Sequence, residues 1–276
     1  MKRLLAHIDD ALGSRYDAQE LDTIKKALCT ELLGVSALGF YTKETLPPSA
    51  ERDSLSKTAL ERLSRGEPLQ YVIGSTPFCG RTFKVDDRVL IPRPETAELV
   101  DWVVQDAAPS GSLLDMGTGS GCIAISLAHR LKGWKVQGWD ISDGALEVAR
   151  ENSSLNGTKV EFLKADILNA SAESKFDVIV SNPPYVLESE KSQMEDTVLD
   201  FEPHAALFVL DSDPLLFYRA IGEFGHKALN PEGKLYFEIN PSEVESLKDL
   251  LINAGYHDVE LRKDIFGKVR MIKAIL

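Results

Sequence analysis

Leu113-Leu114-Asp115-Met116-Gly117-Thr118-Gly119-Ser120-Gly121 runs directly into Cys122-Ile123-Ala124-Ile125-Ser126-Leu127-Ala128. The first part reads as a buried strand entering a glycine turn, the second as the helix that follows. Glycines remove the Cβ atoms that would hold a ligand away from the backbone, and a helix start presents free N–H groups. This element therefore suits a nucleotide-like ligand. A dinucleotide fingerprint requires G-x-G-x-x-G, which would put its last glycine at Cys122, whereas the spacing here is G-x-G-x-G with Asp115 in front. A carboxylate at that point attracts an ammonium group more readily than a pyrophosphate.

On either side of this element, residues 110–276 alternate strands and helices. The apolar runs predict strands at Ser112–Met116, Lys135–Trp139, Lys159–Leu163, Phe176–Val180, Lys234–Ile239 and Val269–Ala274, with a poorly defined one near Val259–Arg262. Helical spacing falls between them at 122–132, 143–154, 214–229 and 242–254. That alternation indicates an α/β fold, a mainly parallel sheet covered by helices on both faces. Strand order does not follow from spacing.

Acidic residues recur where these strands end. Gly138-Trp139-Asp140 closes the second strand, and an Asp there can accept both ribose hydroxyls of a nucleoside lying over the glycine turn. Asp166-Ile167 follows the third, where a side-chain acceptor and an apolar wall could flank an adenine. Standing alone, each Asp reads equally well as a helix N-cap. Together with the glycine turn they point to an adenosine carrying an amino-acid tail, S-adenosylmethionine. The fourth strand, Val178-Ile179-Val180, runs into Asn182-Pro183-Pro184-Tyr185, where two prolines stop the ladder. The Asn182 oxygen and the Pro183 carbonyl, stiffened by fixed φ angles, form a pair of acceptors suited to a planar NH2 group.

The first 66 residues read as helices throughout, with Leu21, Ile24, Leu28 and Leu32 on one face and Leu55, Ala59, Leu60 and Leu63 on another. Pro68-Leu69-Gln70-Tyr71-Val72-Ile73-Gly74 breaks that period, and Phe78, Phe83, Val85, Val89 and Ile91 alternate around Cys79-Gly80-Arg81 as in a hairpin. Ile91-Pro92-Arg93-Pro94-Glu95-Thr96 then opens a helix at Pro94 and carries Arg93 and Glu95 with it, as site-shaping residues or as a structural Arg and a helix-start Glu.

Composition narrows the classes. The 276 residues are 43% hydrophobic and 27% charged, as in an ordinary globular protein, and no apolar run approaches the length needed to span a bilayer. Asp9 and Asp10 interrupt the only apolar stretch near the start, which reads as a helix and not as a secretion signal. Cys29, Cys79 and Cys122 are odd in number and scattered, and the five histidines show no ligand spacing, so neither a disulfide framework nor a metal site is expected and a reducing cytoplasm is the natural location. A net charge of −12 argues against nucleic acid as a partner. The first 65 residues are balanced, with ten acidic and ten basic side chains, so the excess lies in the larger part.

With these residues in view, the chain resembles the HemK/PrmC family, the release factor glutamine N5-methyltransferases. The resemblance runs nearly end to end, through Gly66-Glu67-Pro68-Leu69-Gln70-Tyr71, Ile91–Thr96, Ala145-Leu146-Glu147-Val148-Ala149-Arg150-Glu151-Asn152 and Phe201-Glu202-Pro203. It implies a helical domain at 1–74, a β-hairpin linker at 75–93 and a Rossmann-like, seven-stranded methyltransferase domain at 94–276. It further implies transfer of a methyl group from S-adenosylmethionine to the glutamine side chain of the Gly-Gly-Gln motif in peptide-chain release factors. Gly117, Thr118, Gly119, Ser120, Gly121, Asp140, Ile167 and Asn182 would contact the donor, and Asn182, Pro183, Pro184 and Tyr185 the glutamine. Two departures stand out: Ile167 replaces a frequent large aromatic, and Leu207-Phe208-Val209-Leu210-Asp211-Ser212-Asp213 replaces a glycine-rich stretch. The competing readings are a methylase of exocyclic amines in DNA or RNA, which needs the same acceptor pair, and a nicotinamide-dependent oxidoreductase or non-catalytic nucleoside-binding module.

Overall fold

The computed structural model describes all 276 residues. They form two compact units, one comprising Met1–Ser75 with Glu195–Phe201, the other Thr76–Met194 with Glu202–Leu276. The short helix Asp196–Phe201 thus joins the first unit although the sequence division at residue 94 groups it with the sheet. Such a return of the chain is a tertiary feature that residue spacing does not encode.

In the first unit, helices Lys2–Leu12, Ala18–Ala27, Ala37–Thr42 and Ala50–Ser64 alternate with caps and turns, so the segment is less continuously helical than its periodicity predicts. Asp17 starts the second helix with a capping box and Ser49 caps the fourth through the Arg52 N–H, satisfying donors a helix start leaves open. Ile8, Leu12, Leu21, Ile24, Leu28, Leu60, Leu63 and Val72 make the core. Leu55, expected among them, is exposed, and Ser56 is turned inward in its place. Residues 69–73, expected to break the helix, form one more helical turn that Gly74 ends. Arg62 fastens that turn by donating to the Tyr71 and Val72 carbonyls while pairing with Glu67.

The second unit opens with the expected hairpin, Ser75–Phe78 and Arg81–Lys84. Cys79 and Gly80 at its tip have φ of 48° and 71°, the left-handed pair that a two-residue hairpin needs to match the strand twist. The central sheet has seven strands, numbered here in chain order: β1 Gly111–Met116, β2 Trp134–Asp140, β3 Val160–Lys164, β4 Phe176–Ser181, β5 Leu229–Glu238, β6 His257–Lys263 and β7 Val269–Ile275. Their spatial order is β3-β2-β1-β4-β5-β7-β6. All neighbours are parallel except β7, which is antiparallel to both β5 and β6.

Both faces are covered, which is why the inner strands read as continuous apolar runs. Leu113, Val178, Val180 and Tyr236 face helices Pro94–Asp106, Cys122–Arg130 and Asp143–Leu155. Their chain neighbours Leu114, Ile179, Leu235 and Phe237 face helices Leu216–Ala228 and Val244–Asn253. Tyr218 and Phe224 are core residues of this second layer. No helix is long and apolar enough to cross a membrane.

Candidate functional site

The chain leaves β1 toward β2 and β3 on one side, then returns to lay β4 on the other. Such a reversal opens a crevice at the carboxyl ends of the two central strands. The register pairs Met116 with Ser181, so the glycine turn after β1 and Asn182 after β4 leave the sheet side by side. The Ser181 hydroxyl donates to the Met116 carbonyl and ties the two exits together.

The glycine turn is held from β2. The Gly117 and Thr118 N–H groups both donate to the Trp139 carbonyl, at 2.8 and 2.9 Å, and the Gly119 N–H donates to Asp140 Oδ2 at 2.8 Å. Asp140 Oδ1 accepts from the Ser142 N–H, and burial raises the pKa of its carboxyl. Gly119 has φ of 54°, and a Cβ there would meet nothing within 4 Å. Gly121 opens the helix in the left-handed region at φ of 79°, and a Cβ there would also lie 2.8 Å from Ile125. Thr118 and Ser120 are buried with their side chains inside the protein. Asn152, wholly buried, joins this turn to the hairpin by donating to the Ser120 and Lys84 carbonyls while accepting from the Lys84 N–H.

Asp115 is fully buried beneath the turn. Its Oδ2 accepts from the Thr118 hydroxyl at 2.6 Å and the Ala124 N–H at 3.1 Å, while its Oδ1 is buried without a partner. Burial pushes its pKa up to about 7. A buried carboxyl oxygen left unmatched, with open space above Gly119 and a second acid at Asp140, fits a ligand that carries a cation and vicinal hydroxyls. Asp166 takes the cap role, accepting from the Leu168 N–H and the Asn169 side chain. Ile167, half-buried, points its Cδ1 to 3.6 Å from where a Gly117 Cβ would stand. Cys122 packs in the core, where burial drives its thiol pKa far up and makes it inert as a nucleophile.

On the β4 side a small open cleft is lined by Leu90, Arg93, Asn182, Pro183, Tyr185, Leu207 and Glu238, among others. Asn182 Nδ2 donates to Thr96 Oγ1 at 3.3 Å, while no protein group occupies its Oδ1 or the Pro183 carbonyl. Tyr185 donates its hydroxyl to Glu238 Oε1 at 3.0 Å, and burial together with that carboxylate raises its pKa. Arg93 is paired with Glu202 at 2.6 Å, and the second oxygen of Glu202 accepts from the Ile91 N–H at 3.0 Å. Glu95, expected beside Arg93, stands in the first turn of the helix that Pro94 opens.

The stretch 207–213 takes its own course. Phe208–Val209 pairs in parallel with Val186–Leu187, and Asp211 accepts from the Ser189 N–H and hydroxyl. Three site residues had no role in the sequence reading: Thr96, Glu202 and Glu238. Thr96 and Glu202 stood only within segments that carry the family resemblance, whereas Glu238 left a signal of its own, as a carboxylate closing the apolar run Leu235-Tyr236-Phe237 at the edge of the sheet where ligands bind.

Comparison with known proteins gives the same outline. The PrmC N-terminal domain family matches residues 3–74, and the methyltransferase small domain family matches residues 96–207. A release factor glutamine methyltransferase of Bacteroides thetaiotaomicron is 46% identical over 276 residues, covering 99% of each chain. The chain belongs to the release factor glutamine methyltransferase family. A second member, from Flavobacterium psychrophilum, is 40% identical over 95% of this chain and 94% of its own. Among solved structures, a 16S rRNA N2 G1207 methyltransferase of Thermus thermophilus superposes with a TM-score of 0.52 at 18% identity, over 73% of this chain and 49% of that one. A methyltransferase of Pyrococcus furiosus gives 0.51 at 20% identity, over 70% and 87%. At such identity they share the fold: the α/β sheet expected from the strand pattern, in the Rossmann-like methyltransferase form that the family resemblance implied.

Proposed function

We infer that this protein transfers a methyl group from S-adenosylmethionine to the side-chain amide nitrogen of the glutamine in the Gly-Gly-Gln motif of a peptide-chain release factor. One observation carries the reading: the Met116–Ser181 register sets a glycine turn flanked by two carboxylates beside Asn182-Pro183, whose Asn182 Oδ1 and Pro183 carbonyl make no hydrogen bond within the protein. The first half suits a cationic nucleoside, the second a planar NH2 group.

Gly117, Gly119, Asp115, Asp140 and Ile167 would hold the donor. Asp140 accepts ribose hydroxyls, Asp115 Oδ1 answers the ammonium of the amino-acid tail, and Ile167 forms an apolar wall for the base. When bound, S-adenosylmethionine supplies an electrophilic methyl on a sulfonium.

An amide nitrogen is a poor nucleophile because its lone pair is delocalised into the carbonyl. Asn182 Oδ1 and the Pro183 carbonyl accept its two N–H groups, fix its direction and favour pyramidalisation, while Pro184 and Tyr185 bound the amide plane. The nitrogen so held would be the nucleophile for the methyl group the donor supplies, with the donor's thioether as the group that leaves. The cationic amide so formed is strongly acidic and loses its proton to water, so no strong general base is required. Catalysis is mainly positioning and electrostatics.

Incubation with methyl-labelled donor and purified release factor tests this: label is expected on the single glutamine, located by peptide mass spectrometry. Label on DNA or RNA and none on the release factor would refute it. An amino-methylase of nucleic acid is not favoured, because the net charge of −12 gives no broad attraction for phosphate.

A further inference from the structure

Beneath Asn182 lies a chain of hydrogen bonds with a definite direction. Asn182 Nδ2 donates to Thr96 Oγ1, the Thr96 hydroxyl donates to Glu238 Oε2 at 2.6 Å, and the Tyr185 hydroxyl donates to the other oxygen, Glu238 Oε1. Thr96 and Glu238 are each only 2% exposed. They arrive from the start of the helix at Pro94 and from the end of β5, far from Asn182 in sequence.

The direction matters because both Glu238 oxygens are acceptors here, Oε2 from the Thr96 hydroxyl and Oε1 from the Tyr185 hydroxyl. Glu238 takes the single proton of the Thr96 hydroxyl, so the Thr96 oxygen has only lone pairs left to offer Asn182. An asparagine amide presents oxygen on one side and NH2 on the other, and the two placements differ by half a turn about χ2. Against an oxygen that can only accept, the NH2 must lie inward and Oδ1 outward. The reverse would set two acceptors against each other in a buried place and leave a hydrogen bond unmade.

We propose, resting on the function inferred above, that Thr96 and Glu238 are positioning residues that lock Asn182 with its oxygen toward the substrate amide and thereby select glutamine over glutamate. A glutamine offers two N–H donors to that oxygen, whereas a glutamate side chain offers only acceptors. An Asn182 free to turn would present NH2 half the time, repelling the one and welcoming the other. The same carboxyl group holds the Tyr185 hydroxyl, so one buried side chain orients two side chains of the cleft.

The test uses the full chain and four proteins: the unaltered enzyme, Thr96→Val, Thr96→Ser and Glu238→Gln. Four quantities are read for each: kcat and KM on release factor, donor Kd, and inhibition by the same release factor with glutamate in place of the methylated glutamine. Thr96→Val and Glu238→Gln are expected to lower kcat about 10-fold or more, with donor affinity within about 2-fold, and to narrow the preference for glutamine over glutamate about 10-fold. Thr96→Ser, which keeps the hydroxyl, is expected to restore both. Unchanged discrimination in both impaired variants, or a Thr96→Ser protein as defective as Thr96→Val, would overturn the proposal. A wild-type chain that methylates no release factor would overturn the function on which it rests, and this proposal with it.

Discussion

The two halves of the cleft are built in contrasting ways. On the β1 side, Asp115, Thr118, Gly119 and Asp140 lie within one strand–turn–helix–strand passage, and the contacts that shape the turn run between near neighbours. On the β4 side, Thr96, Asn182, Tyr185, Glu202 and Glu238 come from four separate stretches and meet only in the folded protein. The first half is local backbone geometry decorated with acids. The second is a side-chain network whose parts depend on one another. Changes in the first are therefore expected to act on donor affinity, and changes in the second on the chemical step.

The largest effect belongs to the network side. Asn182→Ala is expected to lower kcat about 100- to 1,000-fold, the scale of losing one preorganised polar contact, while donor Kd by calorimetry changes little. A kcat that did not move would break the contrast outright. The turn side should answer in the opposite sense: Asp140→Ala removes both the brace on the Gly119 N–H and the ribose acceptor. Donor Kd is expected to rise about 10- to 100-fold, with kcat at saturating donor much less affected.

The buried acid under the turn gives a pH signature. The folded-state pKa of Asp115 lies at about 7, above its unfolded value. Its contribution to stability is therefore fully present below about pH 4 and is lost as pH rises toward the folded value. A cation bound beside Asp115 favours the ionised form, so donor affinity is expected to increase as pH climbs toward that same value and then level off. Calorimetric titration across pH 5.5 to 8.5, with proton release below about pH 7, checks both. A flat profile would separate Asp115 from the donor. Ile167→Phe should produce the smallest change, about 2- to 10-fold tighter donor binding from added stacking with kcat unaltered.

The contrast also marks what could be read from residue order. The alternation of apolar runs, the glycine turn and the Asp at the end of β2 all appear within short windows, because strands, turns and helix starts obey local rules of backbone geometry. Even so, spacing could not tell Gly119, which faces open space, from Gly121, which opens the helix in a left-handed conformation close against Ile125. It left Asp140 and Asp166 with the same two meanings: both accept from the N–H two residues on, and only the Gly119 N–H on Asp140 separates them. Leu55 fitted the helical stripe and yet faces outward, since periodicity marks a face and says nothing of which position the neighbouring helices cover.

By itself the sequence determined the strand–turn–helix unit and the family, because each is carried by contiguous residues. Tertiary structure alone decided the order of the strands, the register that sets Met116 beside Ser181, and the burial of Glu238 under Thr96 and Tyr185. Pairing between distant strands and the direction of a buried hydrogen-bond chain depend on which groups meet after folding, and no local window contains both ends of such a meeting.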